Sequence, residues 1–147
     1  MRKKINYLFI LITYIILYGC GSPKLQSNEF IGNWKSADGA TIKLYKNGIC
    51  EIKNLDYKKI YSFKNDTLNI LNCKGTWEFV YLNDEPMIDV NYKKGGTYEY
   101  KGETRPILSG FNFSIRGEGF FENRPPWKLF VYIGDPDDMN RYEFIKE

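Results

Sequence analysis

From Trp77 onward the chain repeats with a period of two. Trp77, Phe79 and Tyr81 alternate with Glu78 and Val80, and Ile88, Val90 and Tyr92 alternate with Asp89 and Asn91. Phe111, Phe113 and Ile115 alternate with Asn112, Ser114 and Arg116, and Trp127, Leu129, Val131 and Ile133 follow the same rule. Successive side chains of a strand point to opposite faces, so this pattern marks strands with one buried face. No window of about a dozen residues after Cys20 keeps an apolar stripe at helical spacing. The 22 Phe and Tyr residues also favour sheet over helix.

The turns can be placed by keeping apolar faces in register. A three-residue loop of Lys46, Asn47 and Gly48, with Gly48 left-handed in a bulge, sets Leu44 opposite Cys50 and Ile42 opposite Ile52. It also sets Lys43 opposite Glu51 on the outer face, a favourable cross-strand pair. A two-residue loop at Asn65-Asp66 pairs Phe63 with Leu68 and Tyr61 with Ile70. The predicted strands are 40–46, 49–53, 57–64, 67–73, 75–82, 87–93, 96–101, 110–116, 119–122, 127–134 and 140–146. Short strands joined in sequence make an antiparallel meander. Its two edges must be hidden, either by closure into an up-and-down barrel, the fold expected here, or by folding over into a two-layer β-sandwich.

Before this domain lies Met1-Arg2-Lys3-Lys4, then an apolar run from Ile5 to Leu17 that breaks at Gly21-Ser22-Pro23. A basic stretch followed by a short apolar one is the layout of an export signal, and a spanning helix wants about 20 apolar residues. Leu17-Tyr18-Gly19-Cys20 resembles the lipobox of bacterial lipoproteins, although Tyr18 stands where a small residue is usual. The resemblance implies a signal peptide over 1–19, with Cys20 acylated as the mature N-terminus and a membrane-anchored protein of the bacterial cell envelope. Gly21, rather than an acidic residue, follows Cys20, which favours the outer membrane. Residues 20–28 then form the lipidated N-terminus and tether, and 29–147 a single β domain.

Phe30-Ile31-Gly32-Asn33-Trp34-Lys35, followed by Asp38 to Leu44 and the Asn47-Gly48 turn, resembles the opening of lipocalin-like domains of small bacterial lipoproteins. That resemblance implies a barrel in which Gly-x-Trp begins the first strand and Trp34 plugs one end. The Thr-Asp-Tyr signature of true lipocalins is missing, and Arg141 is the candidate for their late arginine.

Removing the leader takes away Arg2, Lys3 and Lys4 and leaves 18 basic against 18 acidic residues. A balanced chain lacks the basic excess that nucleic-acid binding draws on, so no nucleic-acid partner is expected. With Cys20 acylated, Cys50 and Cys73 remain. The predicted strand order puts a strand between them, about 10 Å across, beyond the roughly 7 Å Cα limit for a disulfide. Free thiols are expected, with Cys50 a small core residue.

Histidine is absent, and so are the Gly-x-Ser-x-Gly elbow, the phosphate-binding glycine loop and Cys-x-x-Cys. Carboxylates such as Asp84, Glu85, Glu99, Glu103, Glu118 and Glu122 are present, but nothing pairs any two across a cleft, so no enzyme, cofactor or metal is expected. Asp135-Pro136-Asp137-Asp138 is acidic but lacks the spacing of a calcium loop and reads as a turn. Phe120, Phe121 and Trp127, beside two glycines and Pro125-Pro126, are the candidate mouth for a small apolar, lipid or glycan ligand. The function expected is a non-catalytic binding domain for such a ligand at the envelope. The alternative is a protein-interaction module of inhibitor or immunity type, using loops such as 102–109 or 117–126; a filled interior would favour it.

Overall fold

The computed structural model describes residues 25–60, 69–100, 103–120 and 122–147, with 94–100 and 103–108 at backbone level only. The strands are β1 (Gly32–Ser36), β2 (Thr41–Leu44), β3 (Ile49–Asp56), β4 (Ile70–Leu82), β5 (Glu85–Tyr100), β6 (Glu103–Glu118), β7 (Arg124–Tyr132) and β8 (Arg141–Lys146). Each pairs antiparallel with the next, and β1 closes on β8 through Trp34↔Lys146 and Ser36↔Phe144. The protein is an all-antiparallel, eight-stranded meander closed into a barrel of lipocalin-like architecture, not a sandwich. Closure leaves the sheet without terminal edge strands.

The first hairpin follows its sequence logic. Leu44 faces Cys50, Ile42 faces Ile52 and Lys43 faces Glu51, and Gly48 is left-handed at φ 77°. Elsewhere the predicted boundaries need correction. Residues 57–60 form a helical turn, α1 (Tyr57–Ile60), instead of opening a strand. Residues 70–73 and 75–82, predicted on separate strands, belong to one strand, β4, and 87–93 and 96–100 to another, β5. Residues 119–120 turn between β6 and β7, and β1, missing from the strands placed by periodicity, begins at Gly32 as the lipocalin-like resemblance implies. The proposed Asn65-Asp66 loop, like the 1–24 segment with Cys20, lies outside the described residues.

These changes alter the cysteine argument. β3 pairs directly with β4, with Cys50 opposite Gly75 and Ile52 opposite Cys73, so no strand separates the cysteines. Both thiols are nevertheless free, and Cys50 is buried in the core. Desolvation raises both thiol pKa values, Cys50 to about 12, where Cys73 adds to the shift, and Cys73 to about 11.

One end of the barrel, the base, gathers the described N-terminal residues 25–31, the turns 45–48 and 83–84, and the ends of β6 and β7 that meet there. A 3₁₀ turn, Ser27–Phe30, closes it. Phe30 stacks on Trp34 at 6.2 Å between ring centroids and on Phe79 at 5.5 Å. The Trp34 indole N–H donates to the Phe30 carbonyl at 2.8 Å, so the buried ring is polar-satisfied as it plugs the base. The cation over Trp34 is Lys146, with Nζ 5.8 Å from the ring and donating to the Glu29 carbonyl at 2.6 Å. Arg141 lies elsewhere, on the outside of the wall.

The described core is packed. Trp34, Ile42, Leu44, Ile52, Ile88, Val90, Phe113, Leu129 and Phe144 are at most 1% exposed, so they leave no water-sized space among themselves, and Leu71, Tyr92, Phe111 and Tyr142 continue the core toward the opposite end.

Candidate functional site

Period two sends every second side chain of β6, β7 and β8 outward. Ser114 and Arg116 on β6, Phe130 and Tyr132 on β7, and Arg141 and Glu143 on β8 share the outer wall through the pairs Ser114↔Phe130, Phe130↔Glu143 and Tyr132↔Arg141. An outward phenylalanine should be wet, yet Phe130 is only 5% exposed and stands apart from the interior core. Arg141 is one reason. Its guanidinium carbon lies 4.7 Å from the Phe130 ring centroid and 5.5 Å from that of Tyr132, and its side chain is 11% exposed. The two rings meet edge to face at 5.2 Å. Such cation–π stacking, largely desolvated, fixes the guanidinium plane.

The second arginine is held differently. Arg116 bonds Glu143 at 2.7 Å and Glu122 at 3.2 Å, so its terminal nitrogens are engaged by two carboxylates. Arg141 reaches Glu122 only at 3.9 Å, a long ion pair, and its Nε is buried with no hydrogen-bond partner. These groups, with Glu85, Pro86 and Ile115, line a cleft of about 280 Å³ open to solvent. The arrangement offers an edge-to-face aromatic pair and a guanidinium whose terminal nitrogens are held, among the described residues, only by a long ion pair. It can recognise a carboxylate carried beside an apolar group.

The predicted site residues are distributed otherwise. Trp127 is buried at the base, where its indole N–H donates to Glu29 Oε1 at 3.3 Å and ties β7 to the 3₁₀ turn. Phe120 stands at the tip of the β6–β7 turn, 95% exposed. Phe121 lies outside the described residues. Asp135 to Asp138 form a 3₁₀ turn in which the Asp135 carboxylate accepts from the Asp137 N–H at 3.0 Å. No cluster of three or more metal-ligating His, Cys, Asp or Glu occurs among the described residues.

A polar knot at the opposite end is fully committed to structure. Asp38 accepts from Lys59 Nζ at 2.6 Å, from the Tyr142 hydroxyl at 3.0 Å and from the Ser36 hydroxyl. Partial desolvation pushes the Asp38 pKa up, but the bonds from Lys59, Ser36 and Tyr142 together outweigh it and hold the pKa at about 2. The knot joins the β1–β2 turn to α1 and β8.

The outer cleft escaped the sequence reading, although a signal was there. The alternation that put Leu129 and Val131 inside put Phe130 and Tyr132 outside, where polar residues are expected. The fold and the cleft define a class, an antiparallel barrel with a packed core and an aromatic–arginine patch on its wall. No family model, curated protein or solved structure matches this chain.

Proposed function

We propose that the protein is a lipid-anchored, non-catalytic lipoprotein of the bacterial cell envelope, held through Cys20 at the outer membrane. In this reading it recognises a protein partner on the outer wall of its barrel, in the manner of an inhibitor or immunity-type module. The observation that carries the reading is Arg141, a guanidinium clamped by Phe130 and Tyr132 whose terminal nitrogens are held only by a 3.9 Å ion pair to Glu122. Rigid Arg and Tyr side chains lose little entropy on binding and dominate interface energetics. The packed core supports the same choice, because it leaves the exterior as the binding surface.

A small apolar or glycan ligand lying on the Phe130–Tyr132 rings is the second reading, favoured by the size of the cleft. Photocrosslinking in the envelope separates the two. A photoreactive residue replacing Ser114 is expected to give a protein adduct of fixed mass that weakens with Arg141→Ala, while the same group at Asn72 gives none. Equal adducts from both positions, or none from Ser114, would remove the protein-partner reading.

A further inference from the structure

We propose that the β6–β7 turn dips into the bilayer, with Phe120 entering its interfacial region, so that the barrel stands base-down on the membrane to which it is tethered. The inference rests on the lipid-anchor reading of Cys20 and adds an orientation that the anchor alone does not give. The described chain begins at Leu25, packed against the core at the base. Four residues lie between Cys20 and Leu25, and the five steps from one to the other reach about 17 Å at full extension. The base is therefore the part of the barrel held nearest the anchor.

The β6–β7 hairpin starts from that same place. Trp127 bonds Glu29 of the 3₁₀ turn, and Gly117 lies so close to Arg124 and Trp127 that an added Cβ would fall 2.1 Å from the Arg124 carbonyl oxygen. The root of the hairpin is thus fixed to the N-terminal segment, and Phe120 projects three residues beyond Gly117. Among the described residues, Ile49, Tyr81, Leu82 and Phe120 are large apolar side chains exposed at the base. Glu85 and Glu122 line one cleft, so the turns that follow Leu82 and Phe120 are neighbours.

Aromatic side chains partition to the membrane–water interface, where an apolar ring and nearby polar groups are both satisfied. Glu118 and Glu122 flank Phe120, and Asn83 and Asp84 cap the neighbouring turn. Such flanks suit the headgroup layer and limit entry to the aromatic tip. A single acyl chain anchors weakly, and a second contact of this kind adds residence and restricts tilt.

The test uses the mature, lipidated protein in phosphatidylcholine vesicles, with a nitroxide attached after Phe120→Cys or, as the opposite-end control, Met139→Cys. Labelling of the unmutated protein serves as the blank for Cys50 and Cys73. The protein should float with the vesicles, and the ratio of oxygen to nickel-chelate accessibility should be several-fold higher at position 120 than at 139. Flotation with both labels equally open to the nickel chelate overturns the inference and leaves the anchor standing. A label at 120 shielded from both relaxants points to a protein pocket instead of lipid and also overturns it. Failure to float removes the anchor reading and the inference with it. Phe120 is almost fully exposed, so its replacement should leave the melting temperature unchanged.

Discussion

The two faces of β6, β7 and β8 bury aromatic rings by different means. Inside, Phe113 and Phe144 meet edge to face at 5.4 Å and pack among Trp34, Leu129 and Ile42, with no water reaching them. Outside, Phe130 is nearly as buried, but it lies against Arg141 and Tyr132, surface side chains that are themselves only partly buried. Inner burial is enforced by a closed wall, so its energy belongs to the fold. Outer burial uses side chains that can shift, and its rigidity is available for recognition.

The largest expected effect sets one face directly against the other. Phe144→Ala opens a cavity that the wall cannot fill and should destabilise by about 3–5 kcal/mol. Phe130→Ala should cost only the transfer of the ring, about 1.5–3 kcal/mol, because Arg141 can settle into the space. Urea midpoints of the two variants decide the matter; equal losses would mean that the outer ring is core in all but position. Next comes Gly117→Ala, where the new methyl meets the Arg124 carbonyl and Trp127. Overpacking of this kind should cost about 1–3 kcal/mol, read from the same melts.

Arg141→Ala should lower stability by about 1–2 kcal/mol, the worth of a largely desolvated cation–π contact. It should still abolish most of the Ser114 adduct, a separation of stability from binding that no inward residue would show. The smallest effect is acid sensitivity at the opposite end. The Asp38 pKa is lowered in the folded state to about 2, so its contribution is complete above its unfolded value of about 4 and fades as pH falls from there toward 2. The melting temperature of Asp38→Asn should therefore lie below that of the parent at pH 6 and converge on it near pH 2. The thiols sharpen the inner side of the comparison. With their pKa values raised by burial, Cys50 and Cys73 should resist alkylation at pH 8 until the protein is unfolded, and both should then react.

Much of the barrel was legible because one buried face and one wet face impose period two. The β2–β3 hairpin follows that rule residue for residue, since a two-residue loop would have put Leu44 opposite Glu51. The rule failed where the chain departs from it. Tyr57 is buried at the first position of a helical turn, and a four-residue turn is too short to show a helical period. β4 runs unbroken through Lys74 and Gly75 because Gly75 lets Asn91 and Tyr92 of β5 approach, and a glycine there reads as a break from sequence alone. The aromatic cluster around Phe120 was visible, but its parts separate: Trp127 turns inward at the base, and Phe120 turns out. The Arg141 patch was hidden because its members are scattered over β6, β7 and β8 and meet only when the register is known.

Native mass spectrometry of the mature protein, released from its membrane in mild detergent, tests the central claim that the barrel is a filled scaffold and not a container. The folded protein should carry the mass of its chain and covalent anchor with no further small molecule. A reproducible extra mass that leaves on unfolding would show a cargo inside the wall and contradict the account.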